Sequence, residues 1–155
     1  MARGPRSSAL SSTALAEIFD RLPNAIVVHR SGKILFANRA AAALADKTEP
    51  DALLGASVLD FVHPDSQPEA EARLERSLTS APSERRAPLG QFTVKLRDTD
   101  GHSRVLEVAT PEDIELDDGP ARLLFTRDIT EQTQLRRRLV TADRHSAMGT
   151  LAAAV

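Results

Sequence analysis

The sequence contains no cysteine, no tryptophan and no tyrosine, and its only lysines are Lys33, Lys47 and Lys95. Without cysteine there are no disulfides, no thiolate metal sites and no cysteine nucleophile. No apolar run approaches the roughly 20 residues that cross a bilayer. Arg3 and Arg6 are not followed by the apolar stretch of a signal peptide. A cytoplasmic location is the expectation, with any membrane anchor lying outside these residues. Charge of one sign is also missing: the formal net charge is -2, which gives no long-range attraction to nucleic acid or to an anionic membrane. The preference for arginine over lysine reads as coding bias. There is no Gly-rich phosphate loop, no Gly-x-Ser-x-Gly context around Ser57, and no His, Asp and Glu cluster with metal-site spacing.

What is present is one domain's worth of patterned apolar residues. At 155 residues, 41% hydrophobic and 27% charged, the chain fits a single globular domain with length to spare for a tail. Residues 1–12 are rich in Gly, Pro, Ser and Arg and read as disordered. Leu15, Ile18, Phe19 and Leu22 then fall on one helical stripe, which Pro23 ends. Apolar runs over 25–29 and 33–37 flank Ser31-Gly32 and predict a β-hairpin. Asn38 suits the N-cap of an alanine-rich helix over 39–45, its side-chain oxygen accepting an orphan backbone N–H. Short pieces follow over 50–54 and 57–62, the second capped by Ser57 and carrying Asp60 on an exposed turn. After Pro64, Asp65 is placed to cap a longer helix through Leu78, with Ala70, Leu74 and Leu78 at i+4 spacing.

A polar loop over 80–88 leads to three strands: 91–97, then 105–116 interrupted at Pro111, then 121–126. Asp100-Gly101 and Asp118-Gly119 supply the turns between them. Two strands before the helices and three after imply a five-stranded antiparallel sheet with helices on one face, an α+β architecture.

The order of these elements resembles the PAS fold over residues 13–130. Ser31-Gly32-Lys33-Ile34-Leu35-Phe36-Ala37-Asn38 looks like that family's first hairpin, in which the Asn opens the next helix. Leu54-Gly55, Leu59, Phe61 and His63-Pro64-Asp65 look like its mid-domain turn, where His63 is structural. Thr126-Arg127-Asp128-Ile129-Thr130 looks like the motif that closes the last strand and starts an output helix. Asp128 and Glu131 fit a capping box, and Ile129 is placed to pin the helix start to the sheet. Asp128, Ile129, Thr130 and Glu131 thus form the expected signal junction.

Residues 131–155 read as one long helix, a coiled-coil linker. Leu135, Leu139 and Ala142 follow the four-three spacing of a dimer seam, and Met148, Ala152 and Val155 repeat it in another phase. Arg136-Arg137-Arg138 reads as a solvated face. The stretch 144–155 resembles the entry to the dimerisation helix of sensor histidine kinases, ending before the phosphoacceptor. His145 is followed by Ser146 rather than an acidic residue, so it does not match that phosphoacceptor.

The resemblance implies a sensing and dimerising module that regulates a C-terminal histidine kinase in a two-component phosphorelay. It implies a homodimer, with a kinase domain in cis and a response regulator as partners of the parent protein. The rivals are a structural dimerisation scaffold without ligand and a PAS domain serving a cyclase or a transcription regulator. No catalytic residues are expected in this chain. Light-sensing flavin chemistry in the family needs a cysteine, and a redox flavin site tryptophan; haem needs a histidine on the long helix, and residues 65–80 contain none. His29 and His102 fall in hairpins and read as surface residues. The candidate cavity lining is Val28, Ile34, Phe36, Leu59, Leu74, Leu78, Phe92, Val94, Leu106 and Leu124. So aliphatic a set suits a small apolar ligand, or simply a filled core with no tightly bound cofactor.

Overall fold

The computed structural model describes residues 11–79, 91–97, 102–109 and 112–153, and the side chains of these except residues 112 and 150–153. Expectations for residues 1–10, the 80–88 loop, the Asp100-Gly101 turn, the interruption at Pro111 and the seam position Val155 lie outside the described residues. The side chain of Ala152 does as well.

Chain order runs α1 (Ser12–Asp20), β1 (Ala25–Arg30), β2 (Lys33–Ala37), α2 (Arg39–Leu44) and three 3-10 turns (Pro50–Leu53, Val58–Phe61, Pro64–Ser66). These are followed by α3 (Gln67–Thr79), β3 (Phe92–Lys95), β4 (Val105–Val108), β5 (Glu112–Leu116), β6 (Gly119–Asp128) and α4 (Thr130–Ala153). The sheet is antiparallel, with spatial order β2-β1-β6-β4-β3, and β5 also pairs with β6. β6 is 10 residues long and holds the sheet together. One of its edges pairs with β1, Ala25 opposite Thr126 and His29 opposite Arg122. Its other edge takes β4 opposite Thr126 to Asp128 and β5 opposite Gly119 to Leu123. The fourth strand read from the sequence is therefore two collinear segments, and the five-strand expectation becomes six strands in five ladder positions.

The β1–β2 hairpin turns at Ser31 (φ 51°) and Gly32 (φ 85°), the two positive φ values that a two-residue type I′ turn requires. A Cβ on Gly32 would lie 2.8 Å from Leu74 Cδ2, so α3 packs directly against this turn. The ladder slips between Val28 and His29: Val28 faces Phe36, but His29 faces Ile34, and Leu35 is bulged out.

Asn38 is 0% exposed. Its Oδ1 accepts the Ile26 and Ala41 N–H groups, both at 3.0 Å, and its Nδ2 donates to the carbonyls of Phe19 (2.8 Å) and Asn24 (3.0 Å). One amide thereby caps α2, anchors β1 and fastens the end of α1. Phe19 adds an edge-to-face contact with Phe36, centroids 5.9 Å apart. At the opposite end of the hairpin Arg30 grips the β5–β6 turn, bidentate to Asp118 at 3.0 and 2.8 Å and donating to the carbonyls of Pro120 and Gly119.

Two helix starts differ from expectation. Ser12 opens α1 and Ser11 is its N-cap, neither belonging to a disordered N-terminus, because the Ser11 side chain accepts the Ala14 N–H. Asp65 does not cap α3: it sits inside the Pro64–Ser66 turn, which His63 caps by accepting the Asp65 N–H on Nδ1 at 3.1 Å. Asp60 is not merely exposed, for its carboxylate accepts the Ser57 N–H at 3.1 Å while Ser57 Oγ accepts from Leu59.

Candidate functional site: a cavity under the sheet

Between one face of the sheet and α2, α3 and the 3-10 turns lies a cavity of about 190 Å³. Its existence follows from composition. The helical side contributes Ala41, Ala45 and Ala70, the sheet contributes Ala25, and no tryptophan or tyrosine is available to fill the space.

Seven of the ten candidate lining residues meet there: Ile34, Leu59, Leu74, Phe92, Val94, Leu106 and Leu124. The other three do not, for identifiable reasons. Val28 lies in an unbroken apolar run whose face cannot be read from alternation; the cavity face of β1 carries Ala25, Val27 and His29. Phe36 would share a face with Ile34 in a regular strand, but the bulge at Leu35 turns it to the opposite side, beside Val28. Leu78 is 55% exposed. Successive i+4 steps advance roughly 40° past a full turn, so the stripe drifts and Ser77, not Leu78, follows Ala70 and Leu74 into the cavity.

The polar residues of the cavity are the ones the sequence concealed. His29, read as a surface residue of the hairpin, is 4% exposed. Its Nδ1 accepts the Gly32 N–H at 3.1 Å, so the neutral ring carries its proton on Nε2. Burial, and then the charge of Arg122, lower its pKa from 6.5 to about 4. Arg122 is its cross-strand partner on β6 and is 8% exposed. The guanidinium reaches back to Asp113 on β5, with Nε and Nη2 each 3.1 Å from the same oxygen, Oδ1. One signal was available: Arg122 stands two residues before Leu124 on a strand, where alternate residues share a face. His102, by contrast, is exposed. Arg73 lies over the Phe92 ring, 4.1 Å from its centroid, and pairs with Glu69 at 2.9 Å. The hydroxyls of Thr126 and Ser77 donate to the carbonyls of Ala25 and Leu74. No group of side chains among the described residues has the makings of a metal site.

β4 touches both the cavity and the start of the final helix. Leu106 and Val108 line the cavity, while Val105 makes both of its backbone bonds to the start of α4: its N–H donates to Thr130 Oγ1 (3.0 Å) and its carbonyl accepts the Ile129 N–H (2.9 Å). Asp128 is still in β6, opposite Leu106. Its carboxylate accepts the Thr130 N–H at 2.9 Å and the Thr130 hydroxyl, an Asx turn. The expected capping box with Glu131 is thus replaced by a bond to Thr130, because α4 starts one residue later than a cap at Asp128 requires. Thr133, Gln134 and Arg137 of α4 still border a groove with Lys95 and Val105, while Leu135 and Met148 are exposed and Leu139 is 68% exposed. Ala142 is exposed on the same helix.

A sheet flanked on one face by short helices, a longer helix after the hairpin, and a strand-to-helix exit are the marks of one family, and the family model described as the PAS fold matches residues 13–111. The chain is a PAS domain. No curated protein matches its sequence. Among solved structures, the PAS domain resembles that of an HTR-like protein from Haloarcula marismortui at 24% identity and TM-score 0.59, covering 76% of this chain and 91% of the other. It resembles the PAS domain of nitrogen regulation protein NR(II) from Vibrio parahaemolyticus at 22% identity and TM-score 0.53, covering 77% and 100%. It also resembles a domain of the sensory box sensor histidine kinase/response regulator from Geobacter sulfurreducens at 19% identity and TM-score 0.54, covering 76% and 93%. At these identities the likeness is one of fold. Among the described residues no helix is long and apolar enough to cross a membrane.

Proposed function

We infer that this PAS domain senses a signal at its cavity and passes it, through a parallel dimer of α4, to a histidine kinase. The observation that carries the reading is the double hydrogen bond of Val105 to the Ile129–Thr130 junction. A change in cavity contents that moves Leu106 or Val108 moves β4, and β4 is bonded to the first turn of α4. Each such bond contributes about 0.5–1.5 kcal/mol, enough for their loss to shift a balanced two-state equilibrium several-fold. The exposed Leu135 and Leu139 on a 24-residue helix suit a seam, since a helix of that length, about 36 Å, gains most of its stability from packing an apolar stripe. The kinase as output is supported by the likeness of residues 144–155 to a kinase dimerisation helix and by a fold neighbour that comes from a sensor histidine kinase.

In the longer protein that this function requires, ATP-dependent autophosphorylation tests it. Ala70→Leu, which fills part of the cavity, is expected to change the rate several-fold, and adding Thr130→Val is expected to remove that response. Rates unaffected by Ala70→Leu would refute the coupling. Leu139→Glu is expected to convert the chain from dimer to monomer in sedimentation; an unchanged dimer would place the seam elsewhere.

A further inference from the structure

The polar capacity left inside the cavity is mainly that of donors, with the hydroxyl oxygens of Thr126 and Ser77 remaining as acceptors. Thr126 and Ser77 already spend their hydroxyl protons on backbone carbonyls. His29 has its Nδ1 occupied by the Gly32 N–H, which leaves Nε2–H as a donor. Arg122 uses Nε and Nη2 on a single oxygen of Asp113, and no described residue accepts from its Nη1. Asp113 itself is 38% exposed in its side chain, so the buried guanidinium is neutralised from its solvent side only. The charged residues lining the cavity are Arg73, Arg76 and Arg122, and no acidic side chain among the described residues lines it. His29 and Arg122 are directly opposed across the β1–β6 ladder, which puts their Cβ atoms about 5 Å apart. The two donors can thus converge on one head group.

We propose that the cavity binds a small monocarboxylate, its carboxylate held by the Arg122 guanidinium and the His29 Nε2–H, its hydrocarbon body against Leu74, Phe92, Leu106 and Leu124. The proposal rests on reading the cavity as the domain's input site and adds the chemical class of the input. An acceptor-only head satisfies the two donors, and its negative charge gives the guanidinium a second anionic partner on the cavity side, opposite Asp113. An alcohol or an alkane does neither as well. The size is bounded too. A cavity of about 150 Å³ holds benzene, so about 190 Å³ suits roughly six to nine non-hydrogen atoms, the range of hexanoate or benzoate.

Titration of the isotopically labelled 155-residue chain with hexanoate and, separately, with 1-hexanol, followed by amide NMR, tests this. Hexanoate is expected to shift the amides of His29, Gly32 and Arg122 and to bind about tenfold or more tightly than 1-hexanol, the range of a charge-assisted hydrogen bond. Arg122→Gln is expected to abolish the preference while 1-hexanol binding persists. Asp113→Asn, which removes the competing carboxylate, is expected to tighten hexanoate binding several-fold, a gain that a merely structural Arg122–Asp113 pair would not produce and that a misfolded variant could not mimic. Equal binding of the two probes, or Asp113→Asn with hexanoate affinity unchanged or weakened, overturns the carboxylate assignment and leaves the sensor reading standing. Binding of neither probe overturns the assignment as well, and the sensor reading is then decided by the autophosphorylation response to Ala70→Leu.

Discussion

Replacing Asn38 by alanine is expected to lower the stability of the domain by about 3–5 kcal/mol, a large part of the roughly 5–15 kcal/mol that a folded domain has. The reason lies in the position of one amide. Asn38 is 0% exposed and is bonded to Ile26, Ala41, Phe19 and Asn24. Alanine leaves two buried N–H groups and two part-buried carbonyls without these partners, and each buried group costs about 1–3 kcal/mol. Some relaxation is included in the lower figure. Three elements loosen together, since β1, α2 and the end of α1 all lean on this side chain. Asn38→Asp is expected to cost a similar amount at neutral pH: its oxygens still accept from Ile26 and Ala41, but an ionised carboxylate then faces the Phe19 and Asn24 carbonyls. Thermal unfolding by circular dichroism checks both, with melting temperatures lowered by roughly 10–20 °C. A loss below about 1 kcal/mol for Asn38→Ala, within the range of an ordinary exposed cap, would contradict the network.

Acid is expected to weaken the fold well before most carboxylates titrate, and His29 is the cause. Burial and the neighbouring Arg122 hold its pKa at about 4, against 6.5 in the unfolded chain. Above pH 6.5 both states are neutral here and the contribution is complete. As pH falls through 6.5 the unfolded state takes up a proton that the native state refuses, so stability drops by about 1.4 kcal/mol per pH unit. The decline flattens near pH 4, when the native ring protonates as well, after a total loss of about 3 kcal/mol. Asp118, whose pKa is lowered by its bond to Arg30, acts in the other half of the range, losing its contribution only at lower pH. Urea unfolding at pH 7, 6, 5 and 4.5 measures the slope. His29→Asn keeps an acceptor for the Gly32 N–H and is expected to flatten the profile between pH 6.5 and 4.5. Equal slopes for the two proteins would mean that His29 is not the buried neutral group described above.

How far the sequence goes depends on the range of the interactions involved. The hairpin at Ser31-Gly32, the cap at Asn38 and the exit at Asp128–Thr130 are local, and turn and cap chemistry is written into adjacent residues. So is the order of elements, which is why the PAS fold is recognisable without any single diagnostic residue. Faces are harder to read. One bulged residue, Leu35, reverses Phe36, and a helix stripe drifts by one position between Leu74 and Leu78. The polar floor of the cavity is the least legible part. His29 and Arg122 lie 93 positions apart in sequence by their numbering and meet only because β1 and β6 pair, so the long-range ladder alone makes them neighbours. The same is true of Val105 and Thr130, whose bond is made across the sheet and follows from no local spacing.

In the proposed mechanism the state of the cavity is carried by β4 into the geometry of a dimeric α4. The absence of cysteine allows a single spin label to be placed at the exposed Arg144 through Arg144→Cys, and the distance between labels in the dimer to be measured by pulsed electron resonance. With Ala70→Leu in the cavity the mean distance is predicted to shift by about 2 Å or more, the scale of a helix movement at a subunit interface, and Thr130→Val in the same protein is predicted to cancel the shift. An identical distance distribution with and without Ala70→Leu, or no distance between subunits at all, would rule out that coupling.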